Sequence, residues 1–196
     1  MGNSQSACEP YQTLSGNELV EFTRLTPFSR FEIESFYDDF QKLDHSAQPR
    51  RNFRARAEDV ARLPILKCNP FKDRIIQIFA DQNSFLTFED FLDMMSVFHP
   101  RCSKMVKLCH AFAIYDFDND GYLGSEDLKR VVKRLTHRGD SSESIITQED
   151  IVTTAERLMK ELDLDNSGRI SIEEFEYFTS KSPDFALLFS TRQKTC

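Results

Sequence analysis

The sequence predicts an all-α protein of two lobes, each a pair of helix–loop–helix units, followed by a C-terminal segment. Three observations predict it. Two twelve-residue acidic loops, DFDNDGYLGSED (116–127) and DLDNSGRISIEE (163–174), share one spacing of carboxylates and glycine. Apolar residues recur at helical intervals on both sides of each loop. The same helix–loop–helix rhythm runs through the N-terminal half without the carboxylates.

Composition narrows the function. The chain has 196 residues, a formal net charge of −7 and 29% charged residues, which argues against a nucleic-acid binder with its clustered basic surface. Eighteen Phe without any Trp point to short amphipathic helices packed through aromatic rings. The cysteines (Cys8, Cys68, Cys102, Cys109, Cys196) are scattered and odd in number, without a C-x-x-C. That speaks against a disulfide framework or a zinc site and for a reducing, cytoplasmic setting. No apolar run approaches the length of about 18 residues that a membrane span needs, and the chain start lacks a signal peptide's apolar core.

The first twenty-five residues are read as an N-terminal extension. MGNSQS fits the myristoylation pattern M-G-x-x-x-[ST], with Gly2 as the acceptor. One acyl chain binds membranes only marginally, so a second signal is needed. Palmitoylation of Cys8 or the basic stretch RRNFRAR (50–56) would supply it, against the simpler readings of a free thiol and a solvated loop. The expected location is cytoplasmic, peripheral at membranes.

Residues 26–99 read as a degenerate pair of units. Ser29-x-x-Glu32 opens a helix that carries Phe31, Phe36 and Phe40. Residues 43–60 stand where a first loop belongs, yet only Asp44 resembles a ligand there. FADQNSFLTFED (79–90) aligns with the acidic loops, but Phe79 replaces the first carboxylate and Ser84 the turn glycine, so both ligand and turn are expected to be lost.

Residues 104–182 read as the metal-binding pair. Met105, Leu108, Cys109 and Phe112 form the entering stripe of the first acidic loop, and Leu128, Val131, Val132 and Leu135 the exiting one. The linker 136–147 is polar and bears Gly and Ser. Thr147-x-x-Asp150 then opens a helix with Ile151, Val152, Ala155, Leu158, Met159 and Leu162, and Ile172, Phe175 and Phe178 follow the second loop. Leu123 and Ile170 hold the eighth position of their loops, where a short strand pairing joins two such loops.

Both loops match the EF-hand calcium pattern, in which oxygens at positions 1, 3, 5, 7, 9 and 12 surround the ion and a glycine at position 6 makes the turn. The first loop offers Asp116, Asp118, Asp120, the Tyr122 carbonyl and Asp127; Gly124 at position 9 adds no side chain. The second offers Asp163, Asp165, Ser167, the Arg169 carbonyl and Glu174. Calcium takes six to eight oxygens and favours a bidentate Glu at position 12, whereas Mg²⁺ takes six at shorter range. Asp127 is one methylene shorter than Glu. The first loop is therefore expected to hold Mg²⁺ at rest and calcium more weakly than the second.

The stretches LTPFSRFEI (25–33), LPILKCNPFKDRI (63–75), SFLTFEDFLDMMSVF (84–98), AFAIYDFDNDG (111–121) and SPDFALLF (182–189) resemble the calcium- and integrin-binding protein family, the calmyrins. The resemblance implies metal-free first and second hands, a third loop closed by Asp and a fourth closed by Glu. It further implies an adaptor, not an enzyme, that binds amphipathic helices of membrane-protein cytoplasmic tails, notably integrin α subunits, in an apolar channel. The AFAIYDFDNDG type of motif is shared with calcineurin B, so a regulatory subunit of a phosphatase or ion exchanger is the alternative. The tail 183–196 carries Phe185, Leu187, Leu188 and Phe189, read either as a displaceable occupant of that channel or as permanent core.

Overall fold

The computed structural model describes residues 13–44, 53–136 and 147–181. Gly2, Cys8 and the tail 183–196 lie outside the described residues. The described chain is helical apart from one two-stranded pairing and one isolated bridge.

Helix α1 (Gly16–Leu25) lies inside the N-terminal extension and buries Leu19 and Phe22. Helix α2 (Arg30–Gln41) follows, then β1 (Ala55–Arg56) and the short α3 (Ala57–Val60) and α4 (Pro64–Lys67). Helix α5 (Lys72–Phe79), β2 (Phe85–Leu86) and α6 (Phe88–Phe98) form the second unit. The C-terminal pair consists of α7 (Lys104–Tyr115), α8 (Ser125–Thr136), α9 (Gln148–Leu162) and α10 (Ile172–Ser180).

Local chemistry explains where these helices begin. Reciprocal capping boxes, in which hydroxyl and carboxylate each take up a free backbone N–H, join Ser15 to Glu18, Ser29 to Glu32, Thr87 to Asp90, Thr147 to Asp150 and Ser171 to Glu174. The boxes expected at Ser29 and Thr147 are among them. Ser103 caps α7 through the Val106 N–H.

The most apolar helix is also the central one. Helix α6 buries Phe88, Phe91, Leu92, Met94, Met95, Val97 and Phe98, on nearly every side, and packs against α2, α5 and α7. A helix that is apolar all round has to be enclosed. Around it the N-terminal lobe builds an aromatic cluster, with the Phe40 ring 5.4 Å from Phe53, 5.5 Å from Phe88 and 5.4 Å from Phe91. The buried residues form one continuous core through both lobes, and Phe71 meets Tyr115 across the join at 5.2 Å.

Some expectations need correction. Phe31 does not belong to the buried stripe of α2 and is 80% exposed. Ile33, Phe36, Tyr37 and Phe40 recur at intervals of three to four and define the inner face, and Phe31, two residues before Ile33, falls on the opposite side. Ala55 pairs with Leu86, the eighth position of the 79–90 loop, so Ala55 takes the corresponding position of the first loop and Asp59 its closing one. Cys102 and Cys109 are free thiols, and Cys109, expected in the entering stripe of the 116–127 loop, is exposed.

The turn of the 79–90 loop, expected to be lost with its glycine, is retained. Ser84 adopts φ +62° at the position where Gly121 and Gly168 have φ +85° and +84°. The Asp81 carboxylate holds it there, accepting the Asn83 and Phe85 N–H groups at 2.9 Å each. These backbone bonds, with the ion pair to Arg54, hold the Asp81 carboxyl below its usual range. A cationic side chain from the neighbouring loop thus sits on the carboxylate that a metal would otherwise occupy. Left-handed backbone costs an L-residue about 1–2 kcal/mol, against about 0.5–1 kcal/mol of extra unfolded-state entropy for glycine. Ser84→Gly is expected to raise stability by about 0.5–1 kcal/mol, read as a higher urea midpoint at unchanged m-value. A lower midpoint would show that the serine side chain stabilises the turn by more than the strain.

Candidate metal centre

The two acidic loops stand back to back. Leu123 and Ile170 exchange both backbone hydrogen bonds, at 2.9 and 3.0 Å, and both side chains are buried. This is the pairing expected from their common eighth position. Each loop turns through a left-handed Asn at position 4 (Asn119 φ +57°, Asn166 φ +59°) and a left-handed Gly at position 6. Asn tolerates that region better than most residues, and glycine adopts it without a Cβ clash.

Within the first loop the carboxylates are oriented by backbone N–H groups. Asp116 accepts from Asp120 at 3.2 Å and Gly121 at 3.0 Å, Asp118 from Asp120 at 3.3 Å, and Asp120 from Tyr122 at 2.8 Å. In the second loop Asp163 accepts from Ser167 at 2.9 Å and Gly168 at 2.8 Å, and Asp165 from Ser167 at 2.9 Å. The Ser167 hydroxyl donates to the Arg169 carbonyl at 2.9 Å, so the oxygens of positions 5 and 7 face each other. The Ser167 hydroxyl and N–H hold the Asp165 carboxyl below its ordinary range.

The structure brings together one oxygen each from Asp116, Asp118 and Asp120, and one each from Asp163, Asp165 and Glu174, every set within 4.8 Å. Clustered carboxylate oxygens of this kind fit a hard divalent cation and would repel one another without it. The closing residues differ. Glu174 belongs to its cluster, while Asp127 does not belong to the first one. Both Asp127 oxygens accept backbone N–H groups, from Phe117 and from Gly124, at 3.0 Å each. Burial raises the Asp127 carboxyl above its usual range against the lowering effect of those two bonds, and Asp118 and Asp116 add to the rise. Glu174 is held low by the Ser171 N–H, with burial opposing, and by further bonds from the Ser171 hydroxyl and the Leu164 and Asp165 N–H groups.

The twelfth position has a second duty in this fold. It is the third residue of the exiting helix, so Glu174 and Asp90 each close a capping box from it. Tyr122 and Arg169, both at position 7, stack across the paired loops with the guanidinium 3.7 Å from the ring centre. A ligand carbonyl at position 7 would leave the Arg169 side chain free for that contact.

Several residues around the site were not legible as functional. Arg74 on α5 reaches the end of α7, Arg134 on α8 pairs with Asp73, and Phe117 lies beneath three arginines. The one sequence signal for Arg74 was a cation directly before the apolar pair Ile75-Ile76 on a short amphipathic helix.

Comparison with known proteins agrees with this geometry. Residues 105–180 match the family described as an EF-hand domain pair. The chain is 34% identical to calcium and integrin-binding family member 2 of Drosophila melanogaster, over 92% of this chain and 96% of that protein. It is 32% identical to family member 3 of Homo sapiens and 31% identical to family member 2 of Homo sapiens, each over 98% of this chain and the whole of the relative. With an EF-hand pair whose acidic loops gather oxygens for calcium, and with relatives of this identity along nearly its full length, the chain belongs to the calcium and integrin-binding family.

Proposed function

We propose that the protein is a calcium- and magnesium-responsive adaptor for amphipathic helices in membrane-protein cytoplasmic tails, of which integrin α tails are the type. The carrying observation is a surplus of apolar surface on the metal-binding lobe. The helical stripes of α7, α8 and α10 extend beyond what the core buries, leaving Met105 50%, Leu135 59%, Tyr177 51% and Phe178 37% exposed. Helices α7 and α10 pack against each other, so Met105 and Val106 on one and Tyr177 and Phe178 on the other belong to adjoining elements. Helix-in-groove recognition uses such surfaces. The relatives' names, which describe calcium and integrin binding, support the same reading.

Asp116, Asp118, Asp120, the Tyr122 carbonyl and Asp127 would hold one ion, and Asp163, Asp165, Ser167, the Arg169 carbonyl and Glu174 the other. A bound divalent ion would neutralise each acidic cluster. The shorter reach of Asp127 favours Mg²⁺ in the first loop and calcium in the second. Gly2 would carry a myristoyl group and place the adaptor at the membrane surface, peripheral to the cytoplasm, where its partners have their tails. No helix among the described residues is long and apolar enough to cross a membrane. The proposed role is one of binding, without catalysis.

The test is binding of fluorescent peptides by the full chain in calcium, in Mg²⁺ and in chelator. An integrin α tail helix is expected to bind in calcium and to lose at least tenfold in affinity in chelator, while a calcineurin A helix binds weakly. Preference for the calcineurin A helix would move the assignment to a phosphatase regulatory subunit. Binding of neither would refute the adaptor reading.

A further inference from the structure

We propose that Arg74, supplied by the N-terminal lobe, is a positioning residue for the 116–127 metal loop. This inference rests on the reading of that loop as a cation site.

Arg74 is only 5% exposed, although arginine is rarely buried without partners. Its Nη2 lies among three oxygens of the α7–loop junction: the Ala113 carbonyl at 2.9 Å, the Asn119 side-chain oxygen at 3.0 Å and the Asp116 carbonyl. Nη1 donates to Gln77 on its own helix at 2.8 Å. The cation therefore caps the C-terminal end of α7, where helix carbonyls lack partners and the helix dipole favours positive charge. It also grips the loop at position 1 through the backbone and at position 4 through Asn119, the left-handed residue that starts the turn. The neighbouring Asp73 binds Arg134 of α8 through both carboxylate oxygens, at 2.5 and 2.8 Å. Two consecutive residues of α5 thus hold the entering and the exiting helix of one loop. Between them Phe117, at position 2, lies 5.4, 5.6 and 4.8 Å from the guanidinium carbons of Arg74, Arg130 and Arg134. Among the described residues, the hydrogen bonds of the 163–174 loop involve no residue of the N-terminal lobe.

Two effects of Arg74 on the ion oppose each other. Its charge repels an incoming dication, while its contacts fix the loop in the conformation that gathers Asp116, Asp118 and Asp120. The acceptors are carbonyl and amide oxygens, so the ligand carboxylates stay available, and the α7 dipole offsets part of the charge. Preorganisation is therefore the larger effect, since a loop held in its bound shape has less to lose on binding.

Calorimetric calcium titration of the full chain tests this. In the Glu174→Gln background, which confines calcium to the 116–127 loop, Arg74→Met is expected to weaken binding about tenfold, or about 1.4 kcal/mol. In the otherwise unchanged chain, Arg74→Met should leave the 163–174 site within about twofold. Asn119→Gly, which removes one acceptor but retains the left-handed backbone, should weaken the 116–127 site about threefold without altering the far-ultraviolet circular dichroism. Because coupling is reciprocal, calcium should slow amide exchange in 72–79 of the Glu174→Gln chain and fail to do so once Arg74 is replaced. Unchanged or tighter binding at 116–127 in both variants, or equal weakening at both sites, overturns the inference. Absence of any calcium binding at 116–127 in the Glu174→Gln chain overturns the cation-site reading itself.

Discussion

Glu174→Gln is expected to lower calcium affinity at the 163–174 loop by more than about a hundredfold, because it removes the charged, bidentate end of the shell. The amide retains the length of Glu174 and one acceptor oxygen, so the capping box with Ser171 is weakened but not abolished. At calcium a hundredfold over Kd each site adds about 2.7 kcal/mol of stability, provided the unfolded chain does not bind. The variant should lose most of that increment at the second site, and hydrogen exchange should show the loss within 104–180 and little of it within 26–98. The converse change, Asp127→Glu, should tighten calcium and reduce competition by Mg²⁺ at the first loop. Calorimetry with and without Mg²⁺ measures both. An unaltered Mg²⁺ competition in Asp127→Glu would remove the short-ligand explanation.

Phe40→Ala is expected to destabilise the protein by about 3–5 kcal/mol, the range for removing a buried aromatic ring from a core that cannot close over the cavity. Phe40 is 1% exposed and touches the rings of Phe53, ahead of β1, and of Phe88 and Phe91, both on α6. Among the described residues, the carboxylate clusters that could hold an ion lie in the other lobe. The loss should therefore persist in saturating calcium, as a lower urea midpoint of both apo and metal-loaded protein. It is a large part of the 5–15 kcal/mol typical of a whole domain. A loss under about 1.5 kcal/mol would mean that the surrounding rings collapse into the space.

The helix starts at Ser29 and Thr147 were legible in the sequence because a capping box is a local event, completed within four residues. The carboxylates of 116–127 and 163–174 were legible for the same reason: a twelve-residue loop places its own ligands. The exposure of Phe31 was not, since it depends on where α2 meets α6. The turn at Ser84 was misread because a missing glycine was taken for a missing turn, while Asp81 and Arg54, one of them from another loop, supply the interactions that hold it.

By itself the sequence determined the all-helical class, the pairing of units, and which oxygens stand at which loop positions. Each follows from contacts between residues close along the chain, whose geometry backbone periodicity dictates. Only the tertiary structure decided that Ala55 registers with Leu86 and that Arg74 and Asp73 clasp the first loop from the other lobe. Those contacts join residues about 30 to 60 positions apart. Their partners are selected by the packing of whole helices around α6, and a side chain's neighbours across such a distance leave no periodic trace in the chain.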